Sequence, residues 1–236
     1  SQRLAWRATP VDPVTVAPGV AAALPCDLYL VGGGEDGPQV QATRELTQSG
    51  SLHRAVDAGA VVLAVCAGMQ ILGHRFPDPD GADRPGLGLL DCETVRVERP
   101  RAVGELLTAE ATAPDPTSPG TRLALGVLTG FENHAGRTIP GPSSATLAAV
   151  EVGEGNGDGT EGVVCGRVVG TYLHGPVLAR NPRLADLLLG WVVGVGTLAG
   201  RQDRHTRELA ERLAHDGDTS GAELARRMRD PVNLAL

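Results

Sequence analysis

The hydrophobic and polar positions of this chain fall into two kinds of run. Residues 26–31 (CDLYLV) and 60–65 (AVVLAV) are short, nearly continuous in apolar residues and rich in Val and Leu. That is the pattern of strands buried on both faces. The first run ends at Gly32-Gly33-Gly34, which predicts a tight loop. The second meets Cys66 at once, and residues 67–73 (AGMQILG) then open a helix. Between the two runs, residues 40–58 are mixed and helix-like, with a break near Gly50. Residues 75–86 are rich in Pro, Asp and Gly and predict a surface loop.

From residue 93 to 152 the apolar runs become short and β-like: ETVRV, GELLTAEA, RLALGVL and LAAVEV, parted by Gly- and Pro-rich turns. GEGNGDGTEG at 153–162 predicts a further loop, and residues 163–169 and 171–173 return to strand character. Asn181-Pro182 predicts a helix start, with Asn as the cap and Pro at the first helical position. Leu184, Leu187, Leu188 and Trp191 form its apolar stripe. Beyond residue 201 the pattern changes. Leu209 with Leu213, and Leu224 with Met228, stand at helical spacing, and Ser220 and Glu223 at capping-box spacing. We expect one domain over residues 1–200 and a tail of two short amphipathic helices over 201–236.

Composition narrows the function. The chain has 236 residues, 42% hydrophobic and 21% charged, enough for a sizeable core. Aromatics are only 3%, so Val, Leu and Ala must build it. The formal net charge is −7 and no basic cluster is interleaved with aromatics, which gives nucleic-acid binding no support. No apolar run reaches membrane-spanning length, and the first residues, SQRLAWR, lack a signal-peptide pattern. The four cysteines, Cys26, Cys66, Cys92 and Cys165, form no CxxC pair, so no zinc site is expected. Reduced thiols in a cytoplasmic protein are the simplest reading.

Cys66 is the centre of the chemical case. A lone Cys is ordinarily a small buried apolar residue, but a thiol between strand and helix sits at a nucleophile elbow. The helix N-terminus favours the thiolate of a group whose ordinary pKa is about 8.5. The backbone N–H of Ala67 points where an oxyanion would form, and Gly33 or Gly34 could supply a second donor. His174, in GTYLHGP at the end of an apolar run, is placed on a rim and is a candidate general base. His53, His205 and His215 lie on polar helical stretches, His74 ends the elbow helix, and His134 reads as a loop contact. Arg101, after Arg99-Pro100 in a turn, offers the planar fork that grips a carboxylate.

AVCAGMQILG around Cys66 and GTYLHGP around His174 resemble the class-I glutamine amidotransferases, in the branch shared with cobyric acid synthases. LYLVGGGEDGPQ (28–39), GFENHAGRT (130–138) and EGVV…GTYLHGP (161–176) extend the resemblance over roughly residues 26–191. Within the branch they are most similar to the glutaminase subunits of lipid II isoglutaminyl synthases. The resemblance implies an α/β, three-layer fold with a mostly parallel central sheet and a nucleophile elbow. It implies Cys66 as nucleophile, His174 as base, Arg101 (in RPRAVG) on the glutamine carboxylate and Gln70 beside the substrate. It further implies no cofactor in this chain and a heterodimer with a Mur-ligase-like partner. That partner would use ATP to activate the D-isoglutamate of lipid II, at the inner face of the membrane, and take up the ammonia.

Three departures stand out. Ala64 replaces the first Gly of the usual Gly-x-Cys-x-Gly elbow, and a small residue should preserve the turn. Pro176 stands where many members carry Glu two residues after the His. The orienting carboxylate is therefore expected from a partner, or else from Glu132 or Asp36. The family also opens with a strand and helix before the point where this sequence starts; residues 1–7 read as the end of that helix, with the first strand missing. The alternatives are a glutaminase for another acceptor such as a corrinoid, a non-catalytic regulatory module of the same fold, and a cysteine hydrolase.

Overall fold

We describe the protein from a computed structural model. It covers residues 26–34 and 36–193, with the short stretches 4–6, 9–11 and 14–15. The expected tail helices of 201–236 lie outside the described residues. In chain order the elements are β1 (Leu4–Trp6), β2 (Thr9–Val11), β3 (Leu28–Val31), α1 (Asp36–Ser49), α2 (Ser51–Asp57), β4 (Val61–Val65) and α3 (Ala67–Leu72). Next come β5 (Arg75–Pro77), β6 (Asp83–Pro85), β7 (Cys92–Arg96), β8 (Ala102–Pro114), β9 (Arg122–His134), β10 (Gly136–Pro140) and β11 (Ala148–Val152). The last are β12 (Thr160–Glu161), β13 (Val163–Cys165), β14 (Val168–Thr171), α4 (Val177–Arg180) and α5 (Pro182–Val193).

The architecture is mixed α/β, and the expected single, mostly parallel sheet is corrected. Among the described residues the strands form three four-stranded sheets, ordered β13-β14-β4-β3, β12-β11-β8-β9 and β10-β7-β5-β6, besides the β1-β2 pair. Parallel pairing is most extensive in the first, where β14 and β3 both run parallel to β4 while β13 is antiparallel; in the third, β5 meets β7 in parallel at one position. The sheet of β12, β11, β8 and β9 is antiparallel throughout, and no helix lies between its strands to carry a crossover. β8 and β9, 13 residues each, form a hairpin with two irregularities in register.

β4 explains why its sequence is continuous in apolar residues. Val61, Val62, Leu63 and Ala64 are all buried, so the strand is covered on both faces. α3 packs on β4 and β14, and α5 packs on β3, β4 and β9. Leu184, Leu187, Leu188 and Trp191, the predicted stripe, are the buried face of α5. The helix break at Gly50 is real: this residue is left-handed (φ 57°), a conformation that glycine adopts without a steric penalty.

Other expectations are revised. Residues 75–86 are two paired strands rather than a loop, closed by Asp78, whose Oδ1 accepts the N–H groups of Asp80 and Ala82. Residues 4–6 pair with 9–11 as strands, where a helix end was expected. Asn181 precedes α5 as predicted, but its side chain turns to β9. Its Oδ1 accepts the Thr129 N–H (2.8 Å) and its Nδ2 donates to the Thr129 carbonyl (2.8 Å), so it ties helix to sheet.

One buried acid holds the end of β14. Glu161 Oε1 accepts the Thr171 hydroxyl and the Tyr172 N–H (2.9 Å). Burial pushes this carboxyl up from its ordinary 4.5 to about 7, against the partial opposition of those two bonds. A carboxyl that holds its proton more tightly when folded stabilises fully below about pH 4.5, and that contribution is lost as pH rises to about 7. Glu161→Gln removes the titration. Between pH 5 and pH 8 the variant should lose less stability than the native chain, by up to about 3 kcal/mol at about 1.4 kcal/mol per unit. Denaturant melts at the two pH values measure this; parallel losses in both proteins would refute it.

Candidate active site

Three strand ends build the site. β3 and β14 flank β4 in parallel, with Val31 opposite Ala64 and Thr171 opposite Val65. The chain leaving their carboxyl ends therefore delivers Gly33, Cys66 and His174 to one edge, where ligands bind in open parallel sheets. The Cys66 N–H donates to the Thr171 carbonyl (2.9 Å), extending the ladder one residue beyond the strand.

Cys66 has φ 52° and ψ −110°, and it is the one described non-glycine residue at positive φ. A conformation this sparsely populated costs of order 1–3 kcal/mol and marks a strained elbow. The elbow forms with Ala64 in place of the usual first Gly. The second Gly cannot be replaced so easily, because a Cβ on Gly68 would overlap the Val31 carbonyl oxygen. Ala67 is the first residue of α3, whose opening N–H groups have no partner within the helix.

His174 lies across the gap. The point a Gly33 side chain would occupy is 3.5 Å from Cys66 Cβ and 3.7 Å from His174 Nε2. Any side chain there would fill the space between thiol and imidazole. Gly34 faces open space. His174 Nδ1 is 2.9 Å from the Phe131 carbonyl and 2.8 Å from the Tyr172 carbonyl. A carbonyl only accepts, so Nδ1 carries the proton and Nε2 is left with the lone pair of a general base. The group that orients His174 is thus backbone. Glu132, an expected source of the orienting acid, is engaged elsewhere: its carboxylate bonds His134 Nε2 (3.1 Å) and the N–H groups of Glu154 and Gly155. The side chain of Asp36 lies outside the described set.

Arg101 reaches the same edge through Asn133. Its Nε donates to Asn133 Oδ1 and its Nη2 to the Asn133 carbonyl (3.0 Å). That carbonyl is also 4.0 Å from Cys66 Sγ. Two of the five guanidinium N–H donors are used, and the group is exposed. Arg99, by contrast, is paired with Glu154 (2.8 Å). Gln70, one turn after Cys66, is half-buried; its Oε1 accepts Gln39 Nε2 (2.9 Å) and its Nε2 donates to Tyr172 Oη (3.2 Å). A cavity of about 320 Å³ opens beside the site among Leu30, Val31, Gly32, Pro176 and Val177. Its lining is apolar, and the chemistry lies at the polar edge next to it.

Sequence reasoning missed Asn133, Tyr172 and the role of His134. His134 lies at the end of β9, not in a loop, and is buried against Tyr172, the two ring centroids 3.7 Å apart. The available signal was GFENH itself. Its strand alternation puts a Glu and a His on the inward face, which demands partners.

The geometry can activate a thiol, orient a base and grip an anionic substrate, and known proteins share its plan. Residues 7–182 match the CobB/CobQ-like glutamine amidotransferase domain. The lipid II isoglutaminyl synthase (glutamine-hydrolysing) subunit GatD of Staphylococcus aureus (strain N315) is 37% identical over 70% of this chain and 63% of its own length. The cobyric acid synthase of Brucella canis is 34% identical over 89% of this chain and 42% of its own length. The chain therefore spans between about two fifths and three fifths of these relatives. A solved glutamine amidotransferase superposes with a TM-score of 0.51 at 22% identity, over 71% of this chain and 79% of that one, a likeness of fold. The chain belongs to the CobB/CobQ-like glutamine amidotransferase family.

Proposed function

We propose that this chain hydrolyses glutamine and passes the ammonia to a MurT-type, Mur-ligase-like partner that amidates the D-isoglutamate of lipid II. The observation that carries the reading is the opposition of His174 Nε2 and Cys66 across Gly33, with Nδ1 locked as the donor. The likeness to GatD supports the choice of acceptor. ATP is consumed on the partner, and this chain needs no cofactor. The complex works in the cytoplasm, at the inner face of the membrane where lipid II is held. Among the described residues no helix is long and apolar enough to cross a membrane.

In this mechanism His174 Nε2 takes the proton of Cys66, and the thiolate attacks the side-chain amide carbon of glutamine. The oxyanion is met by the Ala67 N–H and by a donor on the Gly33-Gly34 loop. His174 returns the proton to the leaving nitrogen, releasing ammonia and a γ-glutamyl thioester. Water, deprotonated by His174, then breaks the C–S bond to give glutamate and the free thiol. Arg101 holds the α-carboxylate, and Gln70 borders the substrate. Backbone carbonyls orient the imidazole but carry no net charge, so they stabilise an imidazolium less than a carboxylate would. An acid supplied by the partner beside His174 would add that charge and couple hydrolysis to the presence of an acceptor.

Three measurements test the reading. Cys66→Ser should abolish glutamate release from glutamine while the complex still amidates its acceptor with free ammonia; full glutaminase activity in that variant ends the assignment. Arg101→Ala should raise the KM for glutamine roughly ten- to a hundredfold, from the loss of a charge-assisted bond of about 1.5–3 kcal/mol. Unchanged saturation would move the clamp to Arg137. Glutamate release at saturating glutamine should be much faster with the Mur-ligase-like partner than without it. Equal rates remove the borrowed acid, and ammonia transfer to a corrinoid instead of lipid II would replace the acceptor.

A further inference from the structure

The two carbonyls that fix the His174 tautomer belong to residues gripped by one buried polar cluster. Phe131 supplies the first, and its oxygen accepts both the backbone N–H (2.8 Å) and Nδ1 of His174. The next residue on β9 is Glu132. Tyr172 supplies the second carbonyl; its N–H donates to Glu161, and its ring stacks on His134. The Tyr172 hydroxyl meets Thr138 Oγ1 (2.8 Å) and Gln70 Nε2.

Along β9 the strand period sorts these roles. Phe131 and Asn133 point outward, while Glu132 and His134 are each only 2% exposed. Glu132 receives three donors, and His134 Nδ1 donates to the Gly136 carbonyl (3.0 Å), so both ring nitrogens face acceptors. Burial alone would raise the Glu132 carboxyl, but the bonds from His134, Gly155 and Glu154 outweigh it and hold the group below its ordinary range. Packing does not account for such a pair, since apolar residues of similar volume often stabilise as well or better. What the pair does fix is the backbone between its anchors. That backbone carries the Phe131 carbonyl to His174, and the Asn133 carbonyl to Cys66 and Arg101.

We propose that Glu132 and His134 are positioning residues for glutamine hydrolysis, a buried pair that pins the end of β9 so that the Phe131 carbonyl holds His174 with Nε2 toward Cys66. The inference rests on reading Cys66 and His174 as nucleophile and base. Neither Glu132 nor His134 touches the reacting atoms. Their effect passes through a hydrogen bond whose misplacement by about 1 Å can cost a hundredfold in rate.

The test reads the thiol directly. Glu132→Gln keeps shape and loses charge; His134→Phe keeps the stack on Tyr172 and loses both hydrogen bonds. Asp78→Asn, in the β5–β6 turn, serves as a destabilised control remote from the site. For each full-length protein, folded by circular dichroism, the rate constant for alkylation of Cys66 by iodoacetamide at pH 7 is followed by mass spectrometry of its peptide. Loss of stability opens the protein more often and can only hasten alkylation of a buried thiol, so a slower rate reports the site itself, and Asp78→Asn shows the effect of stability alone. Both site variants should react about tenfold more slowly than the native chain, as thiolate is lost with the misdirected base, and Asp78→Asn at the native rate. The glutaminase kcat of the two should fall by at least as much. Native alkylation rates in the two variants, or an equal fall in the control, overturn the proposal. Should Glu132→Gln not fold, His134→Phe decides. Absence of glutamine turnover in the native complex with its partner would instead count against the glutaminase reading, which alkylation does not address.

Discussion

A cysteine held at positive φ is the constraint on which the rest of this structure depends. The conformation is unfavourable for any residue with a Cβ, and it survives only where neighbouring structure over-determines it. Here the β4 ladder enforces the approach from one side, and the Cys66 N–H to Thr171 carbonyl bond carries it one residue beyond the strand. On the other side α3 must begin at once, and Gly68 lets its first turn press against the end of β3. Burial of Met69, Ile71 and Leu72 then anchors the helix. A buried side chain of this size is worth about 1.5–3 kcal/mol, so three of them exceed the cost of one strained residue. The elbow is stable because the core behind it is.

His174 is held on a different principle. A triad aspartate both selects the tautomer of its histidine and offsets the imidazolium charge. His174 takes the first service from two carbonyl oxygens, which bond a protonated Nδ1, while Nε2 and Cys66 both border the Gly33 position. The second service needs negative charge, and Arg101, which shares the Asn133 carbonyl with Cys66, has the wrong sign for it. Orientation is therefore built into the fold, and the Gly175-Pro176 rim beside the imidazole is exposed.

These features were unequally legible in the sequence. The parallel strands and the elbow could be read because their signal is local: an apolar run, a cysteine, a helix start. The sheet organisation could not, since β8 pairs with β9 and β11 across turns whose pairing the alternation of residues does not specify. Pro176 correctly signalled that the usual acid was absent from its offset, but it could not reveal the substitute, because a backbone carbonyl has no residue identity. Asn181 read as a helix cap and sits at that position, yet its side chain bonds Thr129 on another element. The same limit hid the buried pairing of Glu132 with His134, which cannot be read until the face they occupy is known.

The cluster beneath the site also sets opposite demands on pH. Glu132 is held below its ordinary range, so its contribution to stability is lost as pH falls. Glu161 is held above its range by burial, so its contribution is lost as pH rises toward about 7. A single type of acid would push the optimum to one side; the opposed pair confines it between. The asymmetry follows from partners. Glu132 has His134 and two backbone donors around its oxygens, whereas Glu161 Oε2 is buried without a hydrogen-bond partner among the described residues. An apolar filling would avoid both penalties, but it could not hold the Tyr172 N–H or the β9 backbone in register with His174. The polar core is thus tolerated for the placement of two carbonyl oxygens, and its stability is highest where both acids keep the protonation state that the placement needs.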